Sequence, residues 1–240
     1  MAVTQPAVLF VHGFPFDGTM WRHQVAEFPH WKRIAPDLRD ADSVARYADD
    51  LVEVLDAANV DQAVVCGLSL GGYILFELLR RHARRVRAAV FCNTKAVADS
   101  AEQRRGRDAM IALAEQGGAA AVAEKLLPQL LAPATYVTQP EVVGFVRDMM
   151  IRSSVAGIVG ALRALRDRPD STATLATIAV PTLVVAGEDD KITPPDVMRV
   201  MAQAISGAQF AVISAAGHLA PLEQPRAMNQ VLADFLEGLR

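Results

Sequence analysis

The chain has 240 residues, 52% hydrophobic and 21% charged, with a mean hydropathy of +0.21 and a formal net charge of −3. That length and apolar fraction specify one well-cored domain and exclude a disordered chain. The near-neutral charge balance excludes the basic footprint of a nucleic-acid binder, and no uninterrupted apolar run reaches the ~18 residues of a membrane span. In chain order, residues 7–12 form an apolar run of strand length closed by Gly13. Residues 17–28 have a helical period, and 33–36 read as a short strand. Ser43 is a fitting N-cap for a helix to about Ala58, with Val44, Leu51, Val52 and Leu55 on one face. A fully apolar strand over 63–67 is followed by a helix from Leu70 to about His82 and a strand over 86–92. From 96 to 168 only helical periodicity is found, broken at Gly117-Gly118, Pro128, Pro133 and Pro140. Strands return at 182–186 and 209–213, separated by a helix that starts near Pro194-Pro195. A last helix runs from about Gln224 to Leu239, with Pro225 in its first turn.

Strands that alternate with helices imply an α/β fold with a parallel sheet covered on both faces. The helical block interrupts that alternation, so residues 1–95 and 169–240 are expected to form the core and 96–168 an insertion over it. Arg80, Arg81, Arg84, Arg85 and Arg87 cluster at a predicted helix end, where cations suit the helix dipole. Cys66 and Cys92 each sit in an apolar strand-like run, not at metal-ligand spacing, and read as small buried hydrophobes. With no basic n-region or apolar h-region in residues 1–6, the expected location is the cytoplasm, and the expected assembly a monomer or homodimer.

The chemistry concentrates in Gly67-Leu68-Ser69-Leu70-Gly71, a G-x-S-x-G pattern between a predicted strand and a predicted helix. A serine at the tip of such a tight turn needs glycines on either side to make room for the backbone. Chance matches to the pentapeptide alone number roughly 0.03 in a chain of this composition, before the context is demanded. A serine hydroxyl becomes a nucleophile only when a base takes its proton and an acid orients the base. Of the five histidines, His218 lies on a loop (217–223) after the last predicted strand, where it can meet Ser69. Glu188, Asp189 and Asp190 follow the strand at 182–186 and compete as the orienting acid. Neighbouring side chains there point to opposite sides, so only one of the two aspartates can face the imidazole. The backbone N–H groups of Leu70 and Phe14 are the candidate oxyanion donors, since Pro15 has none.

The set His12-Gly13, Gly67-x-Ser69-x-Gly71-Gly72, Gly187-x-x-Asp190 and Gly217-His218 resembles the α/β-hydrolase superfamily over essentially the whole chain. The chain order of nucleophile, acid and histidine is also that superfamily's. The resemblance implies Ser69, Asp190 and His218 as catalytic residues, and a helical cap at 96–168. With almost no room for an N-terminal hairpin before Ala7, about six strands are expected. Cys92-Asn93-Thr94-Lys95-Ala96 and Gly217-His218-Leu219 with Glu223-Gln224-Pro225 look like 3-oxoadipate enol-lactonases and related small esterases. The implied activity is hydrolysis of a small ester or lactone, without cofactor or metal, and with neither nucleic acid nor membrane as partner. Haloalkane dehalogenases and epoxide hydrolases have Asp where Ser69 stands. A perhydrolase side activity fits the same residues, and a non-catalytic ligand receptor on this fold is the alternative of another class. Phe14, Phe16, Trp21, Met110, Leu127, Met149, Ile158 and Leu219 are the expected apolar walls of the substrate pocket.

Overall fold

The computed structural model describes residues 5–38 and 40–239. Six strands, β1 (Ala7–Val11), β2 (Lys32–Ile34), β3 (Ala63–Leu68), β4 (Val86–Cys92), β5 (Thr182–Gly187) and β6 (Gln209–Ile213), form one sheet in the order β2-β1-β3-β4-β5-β6. Every neighbouring pair is parallel. Helices α1 (Arg22–Glu27), α2 (Val44–Ala57) and α3 (Leu70–Arg81) connect the first four strands. Between β4 and β5 lie α4 (Ala101–Leu126), α5 (Pro133–Thr138), α6 (Pro140–Ile151), α7 (Val155–Asp167) and the single turn α8 (Thr172–Leu175). The chain ends with α9 (Pro195–Gln203), α10 (Ala220–Glu223) and α11 (Pro225–Glu237).

Strand side chains alternate between two apolar layers, so the strands read as continuous apolar runs. Leu9, Val11 and Val65 face one layer with Leu51 and Leu55 of α2 and Ile74 of α3. Val8, Phe10, Val64 and Cys66 face the other, with Met228, Leu232 and Phe235 of α11. The two cysteines are buried on adjacent strands with sulfurs 3.8 Å apart, and burial pushes the Cys66 thiol up. β1 is flanked by β2 on one side and β3 on the other, so the strand order reverses there. A crevice opens at the carboxyl ends at such a reversal. His12–Phe14 leave β1 and Ser69 leaves β3 at that edge.

The α/β sheet of six strands agrees with the sequence, and α2 begins after Ser43, whose hydroxyl oxygen accepts from Arg46 N. The expected helix over 17–28 is instead two pieces. Asp17 caps a 3-10 turn at Gly18–Trp21, and α1 follows it. The two pieces meet between Trp21 and Arg22, and Gly18 at the start of the first is held against another segment: its N–H donates to Asp37, and a Cβ there would lie 2.3 Å from the Ala35 carbonyl oxygen. The strand expected at 33–36 lies at Lys32–Ile34, because Pro36 has no N–H to give a ladder. The loop expected at 217–223 contains the short α10, with Pro221 in its first turn. The α4 helix breaks at Gly118, whose φ is 69°. Much of the arginine cluster pairs with the fold's own carboxylates: Arg80 with Glu77, Arg81 and His82 with Asp49, and Arg85 with Asp56, while Arg87 donates to the Leu239 carbonyl.

Candidate active site

The β3–α3 turn holds Ser69 at φ 53° and ψ −109°, a conformation that costs a non-glycine residue on the order of 1–3 kcal/mol. The strain persists because the neighbours over-determine it. Ser69 N donates to the Cys92 carbonyl at 3.0 Å, and Ser69 O accepts from Gly72 N, Tyr73 N and the Thr94 hydroxyl. A Cβ on Gly67 would sit 2.3 Å from the Gly71 carbonyl oxygen, and one on Gly71 would sit 2.3 Å from that of Val11. Both glycines of the pentapeptide are therefore dictated by backbone approach. Among the described residues the Ser69 hydroxyl makes no hydrogen bond, so nothing in the turn competes for it.

On the strand beside it, His12 anchors the turn after β1. Leu38 N donates to His12 Nε2 at 2.9 Å, which leaves the proton on Nδ1 to donate to the Gly13 carbonyl, also at 2.9 Å. Burial lowers the pKa of this imidazole, in keeping with a neutral ring that accepts at Nε2. Neither Phe14 N–H nor Leu70 N–H has an acceptor among the described residues. Leu70 stands at the N-terminus of α3, where the helix dipole favours negative charge.

In the acid loop, a single carboxylate meets the imidazole. Asp190 is 3% exposed, and its Oδ2 lies 2.8 Å from His218 Nδ1. The same oxygen accepts from Asn93 Nδ2 at 2.8 Å and the Thr193 hydroxyl at 2.6 Å, while Oδ1 takes the N–H groups of Ile192 and Thr193. Burial alone would raise its pKa, but the His218 ring and the bonds from His218, Thr193 and Asn93 together outweigh it. The carboxyl is held below the usual carboxylate range. Asp189 and Glu188 are exposed, and among the described residues Glu188 accepts only from Ala215 N. A Cβ on Gly187 would lie 2.0 Å from the Gly217 carbonyl oxygen, so this glycine lets the acid loop and the histidine loop touch.

A depressed carboxyl pKa carries a sign. The stability Asp190 contributes is complete above its unfolded value, near pH 4, and is lost as pH falls toward the folded value. The difference in unfolding free energy between the wild type and Asp190→Asn, measured by urea titration from pH 5 downward, should shrink below about pH 4. A difference that grows on acidification contradicts the assignment.

A cavity of about 330 Å³ adjoins the turn, lined by Gly13, Phe14, Phe16 and Leu70 on one side and by Ile158 and Ala161 of α7 on the other. A Cβ on Gly13 would lie 3.4 Å from that of Ser69. Of the eight expected wall residues, Phe14, Phe16 and Ile158 line this cavity. Trp21, Met149 and Leu219 are instead fully buried core, with Trp21 packed on Phe10 at a ring separation of 5.2 Å. Met110 packs beside Ala114 and Leu162, and Leu127 beside the core under β1 and β3. Pro15 and Leu38 also line it, and its polar residues include Asp17, Asp37, Asp40, Arg152 and Ser153. Arg152 is paired with Asp17 at 2.9 Å, and the Ser153 hydroxyl donates to the Pro15 carbonyl. Met149 of α6 turns into the core, whereas the loop after β1 and helix α7 supply apolar residues to the cavity.

A family model for the alpha/beta hydrolase family matches residues 8–231. The chain belongs to that family. It is similar to 3-oxoadipate enol-lactonase 1 of Acinetobacter baylyi, 26% identical over 244 residues that cover 98% of this chain and 90% of that protein. Among solved structures it is similar to a thermophilic esterase from Thermogutta terrifontis, with a TM-score of 0.95 and 35% identity over 98% of this chain and 90% of that one. It is also similar to the enol-lactonase from Burkholderia xenovorans LB400, with a TM-score of 0.90 and 27% identity over 98% and 92% of the two chains. No helix among the described residues is long and apolar enough to cross a membrane.

Three further partners surround the acid and the base, and two of them, Asn93 and Glu223, lie in the segments that carry the enol-lactonase resemblance. Asn93 and Thr193 bond the Asp190 carboxylate, and Glu223 bonds the backbone around His218. Asn93 has φ 45°, and no signal in a single sequence separates such an asparagine from a turn residue.

Proposed function

We propose that this alpha/beta hydrolase cleaves small carboxylic esters through an acyl-enzyme on Ser69. The reading is carried by the 2.8 Å contact between Asp190 and His218 beside a strained serine turn with two unclaimed N–H donors. His218 Nε2 takes the Ser69 proton as Oγ adds to the acyl carbonyl. The N–H groups of Phe14 and Leu70 hold the developing oxyanion. Asp190 keeps the ring in the tautomer that presents Nε2 and stabilises the imidazolium. Collapse breaks the C–O bond to the alcohol, which leaves with the proton from His218. Water, deprotonated by the same imidazole, then releases the acid and restores Ser69.

Helices α4–α7 act as the cap of this site, with residues 1–95 and 169–240 as its core. The cavity is the acyl or alcohol pocket. Among its described lining residues the one cation, Arg152, is already paired, while Asp37 and Asp40 add carboxylates. An anionic substrate would find no free counter-charge among those described residues, and burying a carboxylate unpaired is costly. Short neutral esters are therefore the preferred class. Likeness to enol-lactonases over nearly the full chain favours lactone opening as the second reading, since the same residues perform it.

A panel of p-nitrophenyl acetate and butyrate set against an enol-lactone bearing a carboxylate tests the ranking. The neutral esters are expected to have the higher kcat/KM. A kcat/KM for the anionic lactone above that of every neutral ester would reverse it, and no turnover of any member would favour a ligand receptor.

A further inference from the structure

Glu223 is 2% exposed and takes no part in the steps above. Its carboxylate nevertheless accepts four hydrogen bonds. Oε1 takes Gly217 N at 2.9 Å and Leu219 N at 3.2 Å, the peptide groups on either side of His218. Oε2 takes Ala132 N and the Thr135 hydroxyl, both at 2.7 Å, at the start of α5. The peptide N–H of His218 itself donates to the Leu130 carbonyl at 2.8 Å. A Cβ on Gly217 would lie 2.6 Å from Ala132 N, so the two segments are in backbone contact.

We propose that Glu223 is a positioning residue whose carboxylate fixes the His218 backbone and fastens it to residues 130–135, so that the segment between β4 and β5 sets the aim of the imidazole. The inference rests on the reading of His218 as the base. A carboxylate is the group this place demands. Four donors converge on it from two segments, and only two acceptor oxygens without protons satisfy both pairs. An amide has one such oxygen. Glutamine at 223 would turn its NH2 toward either the His218 loop or the Ala132–Thr135 pair, donor against donor. Asp190 anchors one edge of the ring through Nδ1, but a ring held at one atom can still pivot. The backbone clamp removes that freedom, and a misplacement of about 1 Å is enough to cost ~10²-fold in rate.

The test compares the wild type with Glu223→Gln on p-nitrophenyl acetate, beside the melting temperature and the far-downfield proton signal of His218 Nδ1–H in the NMR spectrum. The expected result is a folded variant whose kcat falls about tenfold to a hundredfold, with KM within twofold and the downfield signal shifted or broadened. A folded variant with unchanged kcat and an unchanged signal overturns the proposal. Should Glu223→Gln fail to fold, the pair Thr135→Val and Thr135→Ser decides the matter. Valine should lower kcat at constant KM while serine, which keeps the hydroxyl, restores it; equal rates in both would overturn the inference. A wild type that hydrolyses no ester defeats the catalytic reading and this proposal together. An active wild type with indifferent variants defeats this proposal alone.

Discussion

Ser69→Ala is expected to lower ester turnover by roughly 10⁴–10⁶-fold, the range seen when the nucleophile of a triad that acts as a unit is removed. The loss should come without loss of fold. Ser69 is tied into the turn by its backbone, through Cys92, Gly72, Tyr73 and the Thr94 hydroxyl, while its own hydroxyl bonds to nothing among the described residues. Alanine meets the same strain at φ 53° as serine does, so the stability change should stay within about 0.5 kcal/mol. A fluorophosphonate should label the wild type at Ser69 alone, as shown by peptide mass, and should leave the variant unlabelled. Retention of more than a tenth of the rate, or a label on another residue, would remove Ser69 from the mechanism.

What the sequence discloses, and what it hides, follows from the range of the interactions. Strands β1, β3, β4 and β5 are legible because both faces are buried, which makes their residues apolar without a break. The serine turn is legible because two backbone approaches of 2.3 Å admit only Gly67 and Gly71, and that requirement is local. The tight fit of Gly18 is not, since it depends on Ala35 and Asp37 from another segment. The division between cavity wall and core is hidden for the same reason. Met149 and Phe16 are alike as residue types, yet the first is core and the second lines the cavity, and tertiary packing alone separates them. Glu223 is the extreme case. Its four donors come from positions 132, 135, 217 and 219, and in the sequence it is one acid before a helix.

Between the two neighbouring aspartates the expected contrast is large. Asp190→Asn should lower kcat by roughly 10³–10⁴-fold, whereas Asp189→Asn should cost less than about tenfold. The difference begins in the turn that follows β5. Asp190 points inward, where Oδ2 collects His218 Nδ1, Asn93 Nδ2 and the Thr193 hydroxyl, while Asp189 is exposed and its side chain bonds to nothing among the described residues. Asparagine at 190 keeps the shape but offers one accepting oxygen where two are used. If that oxygen keeps the N–H groups of Ile192 and Thr193, the NH2 takes the place of Oδ2 and faces the His218 edge, and the ring must present an unprotonated Nδ1 to it. The proton then moves to Nε2, the atom that has to receive the Ser69 proton, so the base is blocked at the moment it is needed. The developing imidazolium also loses its counter-charge, and with His218 and Asp190 both buried a charge there is worth more than in water. Steady-state kinetics on p-nitrophenyl acetate for the two single variants decide the matter. A crippled Asp189→Asn beside a mild Asp190→Asn would shift the acid by one residue and leave the 2.8 Å contact between Asp190 and His218 without a catalytic role.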